Sequence, residues 1–356
     1  MFAGAARYDR MVPRSRLALI SPLWLAIAAC SHAASGPASS PASDRAAGAA
    51  PAPKPQADER ACQAGDARQC IAAGKRLLVE PGRDVDRAGR LLVRACELRA
   101  MEGCGLAATL LVDVPGHEDY ARAAALLARA CDANQAESCG WLATLYRGGA
   151  GVEQDHAKAS ALDDKACAGG DGRGCSDLGV AYDLGAGVGV DHARARALFE
   201  KACSNKYYAA CTNLGFNYAS GIGVPQDNER AAKLYEVGCT GDDLRGCTKL
   251  GAAYLQGAGV RQDSQLAVKH ATKACEGGYM EGCVVLGVVY QTAPGIEDPV
   301  KAAVYYDRGC KAGEGIGCLN LALLYRDGSG VPADRQKVME LLARACKLGQ
   351  TDACVQ

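Results

Sequence analysis

The chain has few large aromatic side chains, no net charge and no long apolar run. Its 356 residues include only three Phe and two Trp, so aromatic packing can contribute little to a core. The 40 basic and 40 acidic residues cancel, and their interspersed signs argue against a nucleic-acid partner. The most apolar stretch near the N-terminus, residues 17–29, is too short to span a bilayer as a helix.

Several catalytic signatures are absent as well. The sequence contains no Ser-x-x-Lys, Ser-Asp-Asn or Lys-Thr-Gly, which together mark serine β-lactamases. Glycine-rich turns such as residues 221–224 do not follow the G-x-G-x-x-G pattern of nucleotide-binding loops. The histidines show no zinc-binding spacing; they are His32, His117, His156, His192 and His270. We therefore expect no catalytic residue, no metal site and no cofactor.

Cysteine, in contrast, is abundant and regularly placed. Eighteen of the 19 cysteines form nine pairs whose two members are eight positions apart: Cys62/Cys70, Cys96/Cys104, Cys131/Cys139, Cys167/Cys175, Cys203/Cys211, Cys239/Cys247, Cys275/Cys283, Cys310/Cys318 and Cys346/Cys354. A period of about 36 residues predicts a solenoid of repeated units. Zinc sites use shorter spacings between ligands, so we predict nine disulfides and an oxidising compartment.

The residues after each second cysteine predict a helix, called helix A here. Leu recurs three positions later, Gly or Ala at four and Tyr at seven, which places them on one helical stripe. The small residue at four would let a neighbouring helix approach closely. A Gly-rich turn then ends helix A, because glycine readily adopts positive φ.

A second helix, helix B, follows and ends at the next first cysteine. An Asp stands twelve residues before that cysteine in eight units: Asp84, Asp119, Asp155, Asp191, Asp227, Asp263, Asp298 and Asp334. We interpret these residues as N-caps of helix B rather than as a catalytic or metal-binding array. Each cysteine pair then straddles the turn from helix B to the next helix A, where antiparallel helices bring Cα atoms within disulfide range.

The N-terminus predicts export. Two arginines precede the apolar stretch, and Ile27-Ala28-Ala29-Cys30 resembles a bacterial lipobox, in which the cysteine is lipidated. An ordinary signal peptide with a nearby cysteine is the alternative, and either Met1 or Met11 could be the start. We expect a lipoprotein signal peptide over 1–29, an Ala/Ser/Pro-rich tether over 30–57 and a solenoid of about eight repeats over 58–356. The location would be periplasmic or the outer membrane.

The unit Lys-Ala-Cys203…Cys211-Thr-Asn-Leu-Gly-Phe-Asn-Tyr-Ala-Ser-Gly-Ile-Gly-Val-Pro-Gln-Asp and its relatives resemble the Sel-1-like repeat, a relative of the tetratricopeptide repeat. More narrowly, they resemble the Helicobacter cysteine-rich proteins. The resemblance implies an all-α, right-handed α/α solenoid of helical hairpins, with helix A lining a concave groove. The first two units depart from the pattern: Ala73 and Ala107 replace the Leu, and Leu77 and Leu111 replace the Tyr.

The resemblance implies two functions. Most relatives bind a protein or peptide in the groove, whereas some cysteine-rich members are described as penicillin-binding proteins with weak β-lactamase activity. By register with tetratricopeptide repeats, the groove would be lined by Arg173, Thr212, Phe216, Arg245, Thr248, Glu281, Val284, Val288, Leu319, Leu323 and Arg326. Arginines beside an apolar strip would suit a peptide with an acidic group. The membrane would be contacted through the lipid anchor alone, and the oligomeric state is left open.

Some positions interrupt the repeat. His270 and Asp163 occupy apolar positions of helix B, and Asn217 occupies one of helix A. We expect such side chains to be hydrogen-bonded or to reach solvent. His156 and His192 follow capping Asp residues, so we expect both to be exposed, and Trp141 is predicted to pack against a neighbouring unit.

Overall fold

A computed structural model describes residues 54–79, 84–114 and 118–354. These residues form seventeen α-helices and one short 3-10 turn, Thr351–Ala353, and no strand occurs among them. The helices are α1 Lys54–Gln63, α2 Ala67–Val79, α3 Val85–Glu97, α4 Met101–Asp113, α5 Tyr120–Asp132, α6 Ala136–Gly148, α7 His156–Ala168, α8 Gly172–Leu184, α9 His192–Ser204, α10 Tyr208–Ser220, α11 Asn228–Thr240, α12 Leu244–Gln256, α13 Ser264–Glu276, α14 Met280–Thr292, α15 Pro299–Lys311, α16 Gly315–Asp327 and α17 Arg335–Lys347. Every helix after α1 is 13 residues long.

The chain divides into two compact units between Gly169 and Gly170. Helices α1–α7 belong to the first unit and α8–α17 to the second. The even-numbered helices are the predicted A helices, and each packs against the B helix that follows it. Within each unit, each B helix also packs against the next A helix. This consecutive pairing confirms the prediction of an all-α, solenoid-type fold.

The predicted N-caps are confirmed. In each of the eight aspartates, a side-chain oxygen accepts a hydrogen bond from the backbone N–H three residues later, as Asp191 does from Arg194 at 3.0 Å. These bonds satisfy amides that would otherwise lack a partner at the start of helix B. The aspartates therefore have a structural role in starting each B helix at the same register.

The turn after helix A requires glycine for two reasons. Gly221 follows α10 with φ of 68°, the left-handed conformation that ends the helix. Gly223 has φ of 66°, and a Cβ placed on it would lie 2.2 Å from the Cβ of His192 in the preceding hairpin. The turn therefore packs directly on the previous B helix, which a larger residue would push away.

The small residue four positions after the second cysteine lies on helix A and faces a side chain of the B helix in the same hairpin. A Cβ on Gly179 would lie 2.7 Å from the Phe199 ring, and one on Gly287 would lie 2.6 Å from the Tyr306 ring. Both rings are fully buried. Glycine on one helix thus makes room for an aromatic ring on the other, and few aromatic residues suffice to fill the hairpin centres.

Disulfides join consecutive hairpins at the turn from helix B to the next helix A. In eight bridges the Cα atoms are 4.4–4.9 Å apart. Cys167 and Cys175 are disulfide-bonded too, which makes nine bridges in all, as the spacing predicts.

Most of these disulfides are buried in the hydrophobic core and do not lie on the protein surface. The Cys104 side chain packs in a cluster with Leu92 and Ala107, and Cys283 packs in another with Ala271 and Leu286. The second cysteine is 0% exposed in eight of the nine pairs, namely Cys70, Cys104, Cys139, Cys175, Cys211, Cys247, Cys283 and Cys318. The pairing therefore confirms the predicted disulfides, and these cysteines are buried structural residues.

Three predictions for the N-terminal region reach beyond the part of the chain that the structure describes. The predicted signal peptide over 1–29 and the predicted lipidation site Cys30 lie outside the described residues, as does most of the predicted tether. The first helix among the described residues begins at Lys54, slightly before the predicted start of the solenoid at 58.

Candidate functional site

The exposed side of the A helices in the second unit is narrower than the tetratricopeptide register predicts. Numbered from the second cysteine, three of the four predicted groove residues at +1 are buried: Thr212 is 4% exposed, Thr248 1% and Val284 6%, whereas Leu319 in the last A helix is half-buried. The prediction that these three side chains line a groove is therefore wrong. Their burial follows from contacts with the B helix of the same hairpin and with the next A helix, since Val284 lies against Gly309 of α15 and Gly317 of α16.

Partly exposed side chains instead occur at −2, +2 and +5. At about 100° per residue these positions share one side of the helix, whereas +1 points toward the next hairpin. The positions at +5 form what we call the apolar row, one side chain from each A helix of the second unit: Val180, Phe216, Ala252, Val288 and Leu323. Among the apolar residues predicted for the groove, Phe216, Val288, Leu319 and Leu323 are half-buried.

Arg245 is predicted from the sequence to attract an acidic ligand, but its charge is already paired. Its guanidinium donates to both carboxylate oxygens of Asp243 at 3.1 Å, to the Asn213 side chain at 3.3 Å and to the Ala209 carbonyl at 3.4 Å. Burial opposes the charge on Arg245, but the attraction of Asp243 outweighs it and raises the pKa of the guanidinium. Arg245 therefore ties α12 to α10, and we correct its predicted role to a structural one.

Glu281 is paired in a similar way. It accepts hydrogen bonds from Lys249 at 2.8 Å, across the interface between α12 and α14, and from the hydroxyl of Tyr279 at 2.9 Å. Burial favours the neutral carboxyl, but attraction and hydrogen bonding from Lys249, together with Tyr279, lower the pKa of Glu281. The carboxylate is thus ionised and compensated within the protein.

The two remaining predicted arginines also have acidic neighbours. Arg173 Nε lies 4.0 Å from an Asp177 oxygen, and its backbone N–H donates to Asp171. Arg326 is exposed and makes a two-point ion pair with Asp327, with Nε 2.7 Å from one carboxylate oxygen. The predicted excess of positive charge beside the apolar row is therefore largely neutralised.

The polar residues that interrupt the repeat have partners inside the fold. Asn217, only 1% exposed, donates from Nδ2 to Asp183 Oδ2 at 2.8 Å, and Asp183 Oδ1 lies 2.9 Å from His192 Nδ1. His192 is accordingly half-buried, so the expectation that it is exposed is wrong, whereas His156 is exposed as predicted. The buried Asp163 forms an ion pair with Arg147 at the end of α6.

His270 takes the place of an apolar residue because it stacks on an aromatic ring. Its imidazole lies parallel to Tyr254, with 5.6 Å between ring centroids, and Nδ1 is 3.7 Å from Cys239 Sγ. Tyr305 holds the same position in the next hairpin and stacks on Tyr290 at 5.7 Å. Trp141 is partly buried against a hydrophobic cluster that includes Ala108 and Val112 of the preceding hairpin, as predicted for a residue that packs on a neighbouring repeat.

The residues that the structure describes contain no cluster of three or more side chains able to hold a metal ion. In the same ranges, none of the helices is both long and apolar enough to cross a membrane. A small cavity in the first unit, lined by residues such as Val112, Leu127 and Trp141, has a volume of about 10 Å³, room for about one water molecule. The A-helix side of the second unit therefore remains the leading candidate site.

Comparison with known proteins identifies the repeat. The Sel1 repeat family matches seven segments: 112–135, 136–171, 172–207, 209–243, 244–279, 281–314 and 315–350. The chain belongs to the Sel1 repeat family. The first matched segment starts at 112, so α2 and α3 lie outside the match, although they form the same 13-residue helices.

Solved structures similar to this Sel1 repeat protein include c5321, a protective antigen of uropathogenic Escherichia coli with the same type of fold. It is 25% identical with a TM-score of 0.65, and the match covers 84% of this chain and 65% of the antigen, less than two thirds of its length. A Sel1 repeat protein from Oxalobacter formigenes is 23% identical with a TM-score of 0.58, covering 84% of this chain and 88% of that one.

The cysteine-rich branch is represented by Helicobacter pylori cysteine rich protein B. It is 31% identical over 38% of this chain and 97% of its own, with a TM-score of 0.31. No curated protein matches the chain.

Proposed function

We propose that the protein is an exported, lipid-anchored scaffold that binds a protein or peptide segment on the A-helix side of its second unit. Sel1 repeats are typical of protein–protein interaction scaffolds. Nine disulfides indicate an oxidising, exported environment, since thiols stay reduced in the cytosol. Lipidation of Cys30 and an envelope location extend this proposal to the N-terminus.

The observation that carries the proposal is the apolar row. Each A helix of the second unit contributes one half-buried side chain to it, so a segment crossing successive helices meets an apolar contact on each. Aromatic and aliphatic side chains of this kind contribute strongly to binding when a partner excludes water from them. Phe216 is the largest member and lies between Val180 and Ala252.

Paired charges beside the row change the expected ligand. Because Asp243 and Lys249 compensate Arg245 and Glu281, recruitment of an acidic peptide by a free arginine is not supported. We infer that apolar contact supplies most of the affinity and that binding depends only weakly on salt, because screening acts on exposed charges.

The test compares substitutions on the A helices with a substitution on a B helix. Full-length protein is used to capture partners from envelope extract, and binding of a purified partner is then measured. Phe216→Ala should weaken binding by about 1–3 kcal/mol, and Val288→Thr should weaken it as well. Val304→Thr is the matched control, because Val304 lies on a B helix and is 55% exposed. Loss of binding in the Val304 variant, with retention in the other two, would place the site elsewhere.

The anchor is tested separately. Cys30→Ser should release the protein from membranes into the soluble fraction without changing its thermal unfolding, because position 30 precedes the predicted solenoid of repeats. Membrane retention of this variant in bacterial cells would contradict lipidation at Cys30 while leaving the binding proposal open.

A further inference from the structure

Five hairpins contain the same internal contact between a basic side chain and a tyrosine. The base stands three residues after the capping Asp, and its charged group lies 4.5–5.5 Å from the centre of the tyrosine ring near the end of helix A. The pairs are Lys158 with Tyr146, Arg194 with Tyr182, Arg230 with Tyr218, Lys301 with Tyr290 and Lys337 with Tyr325.

The capping aspartate completes this arrangement. Lys158 Nζ is 3.4 Å from Asp155, Arg194 Nε is 3.2 Å from Asp191 and Lys301 Nζ is 3.2 Å from Asp298. One cation is therefore held by a ring face and a carboxylate at once. The ring quadrupole and the carboxylate both favour positive charge, so the arrangement selects an ammonium or guanidinium group.

The hairpin formed by α12 and α13 has the ring and the carboxylate but no base. Leu266 stands where the other hairpins have Lys or Arg. One oxygen of Asp263 accepts the backbone N–H groups of Gln265 and Leu266. In the described part of the chain no lysine or arginine lies within ion-pair distance of Asp263 or over the Tyr254 ring, which stacks on His270. An open hollow of about 610 Å³ occurs here, lined by Tyr254, Val260, Arg261, Gln262, Asp263 and Leu266.

We propose that this hollow receives a lysine or arginine side chain of a partner protein. The incoming cation would lie over Tyr254 and beside Asp263, while its aliphatic stem would contact Leu266 and Val260. Arg261, at the rim, repels a cation and limits the affinity of any single group. The hollow is a site separate from the apolar row, and its occupancy does not depend on binding there.

Small probes test the hollow directly. The probe is n-butylammonium, which reproduces the end of a lysine side chain, and n-butanol is its uncharged analogue. NMR signals of the Tyr254 ring and Leu266 methyl groups in the full chain should shift saturably with n-butylammonium, with half-saturation at about 0.1 M, as expected of one exposed cation–π contact with a weak ion pair. Butanol or an equal concentration of NaCl should not reproduce the shift.

Two substitutions test the hollow in opposite directions: one fills it, and the other opens an equivalent hollow in another hairpin. Leu266→Lys supplies the base internally and should abolish the shift, whereas Lys158→Leu should create a second responsive ring at Tyr146. Asp263→Asn retains an N-cap residue and should weaken binding several-fold, while Arg261→Gln should strengthen it. Circular dichroism checks that each variant is folded, and Leu266→Arg is the alternative if Leu266→Lys is not.

Three outcomes would overturn the inference. The first is an equal shift with butanol, and the second is an unchanged n-butylammonium shift in folded Leu266→Lys or Leu266→Arg protein. The third concerns the partner: if n-butylammonium binds but neither Leu266 variant reduces capture of a partner protein, the hollow is a site for free amines only. Reduced capture in these variants, with Val304→Thr unaffected, supports the proposal.

Discussion

Arg245 donates to Asp243, Asn213 and the Ala209 carbonyl, so its guanidinium joins two consecutive hairpins. Leaving such a group without its partner in a half-buried site costs more than the net contribution of the pair. Arg245→Glu would therefore disturb the contact between repeats, and any loss of binding in that variant could come from loss of structure. Substitutions in the apolar row, which leave this network intact, are better probes of a ligand.

His270 predicts a dependence of stability on pH. Burial lowers the pKa of His270 from its ordinary value of 6.5, and Lys269 and Lys273 lower it further, whereas Glu236 opposes them. The unfolded chain then binds the proton more tightly than the folded protein does. The stabilising contribution of neutral His270 is present above the ordinary pKa and is lost as pH falls through the folded-state pKa.

We expect the free energy of unfolding to decrease between pH 7.5 and pH 5, and part of this decrease to vanish in His270→Tyr. Tyrosine is the matched replacement because Tyr305 stacks on Tyr290 at the equivalent position. The measurement is the urea midpoint at both pH values, with exposed His156→Gln as control. An identical pH dependence in wild type and His270→Tyr would show that the imidazole environment does not matter.

At the scale of the helical hairpin, packing between A and B helices depends on matched sizes. Small residues recur on both sides: the Ala four residues after each of the first seven capping Asp residues is at most 2% exposed. Gly179 lies against Phe199 in the same way that Gly287 lies against Tyr306. An added methyl group therefore has opposite effects at different helical glycines.

Gly179→Ala should destabilise the protein by about 1–3 kcal/mol, because the new Cβ would lie 2.7 Å from the Phe199 ring. Gly89→Ala should instead stabilise it by about 0.5–1 kcal/mol, because Gly89 is in the middle of α3 with nothing within 4 Å of its added Cβ. Chemical denaturation of each variant measures both changes. Equal effects at the two positions would contradict the packing argument.

Basic residues also connect successive B helices. Lys273 Nζ donates to the carbonyl of Cys239 at 2.8 Å, and Arg129 and Arg344 donate to the carbonyls of Cys96 and Lys311 at 3.2 Å. These carbonyls lie at helix C-termini, where positive charge is favourable. Each such bond joins one B helix to the preceding one, alongside the disulfide.

At the scale of the whole molecule, the disulfides distribute stability along the chain. Closing a loop of nine residues contributes roughly 2.5 kcal/mol in the chain-entropy model. Each bridge constrains a junction between neighbouring hairpins, and such interfaces decide the stability of repeat proteins. Their number compensates for a core built largely from Ala, Leu and Cys.

Peptide mapping under non-reducing conditions should find nine bridges, each within its own pair. Under mild reduction of the folded protein, Cys346–Cys354 should open first, because Cys354 is exposed and Cys346 half-buried. In each of the other pairs, the second cysteine is 0% exposed. Alkylation followed by mass spectrometry gives the order, with Cys239–Cys247 as the buried comparison. Bridges between different pairs would contradict the fold.

Local chemistry explains why much of the architecture could be predicted from the sequence. The capping aspartates, the turn glycines and the eight-residue cysteine spacing act over a few residues, so their consequences are visible in one repeat and are reinforced by the others. The Leu at +3 is buried in every unit where it occurs, from Leu142 to Leu321. The small residue at +4 faces its own helix B, whereas the residues at 0 and +3 pack with the preceding helix B, as Cys283 and Leu286 do with Ala271.

Only the tertiary structure decided which remaining side chains face solvent and which charges are free. Burial at +1 comes from the B helix of the same hairpin together with the next A helix. Arg245 reaches Asn213, and Lys249 reaches Glu281, across 32 residues of sequence. Such contacts depend on how one repeat packs on another, which no pattern within a single repeat encodes. The sequence alone determined the repeated, disulfide-linked hairpin, whereas packing between hairpins fixed the composition of its exposed side.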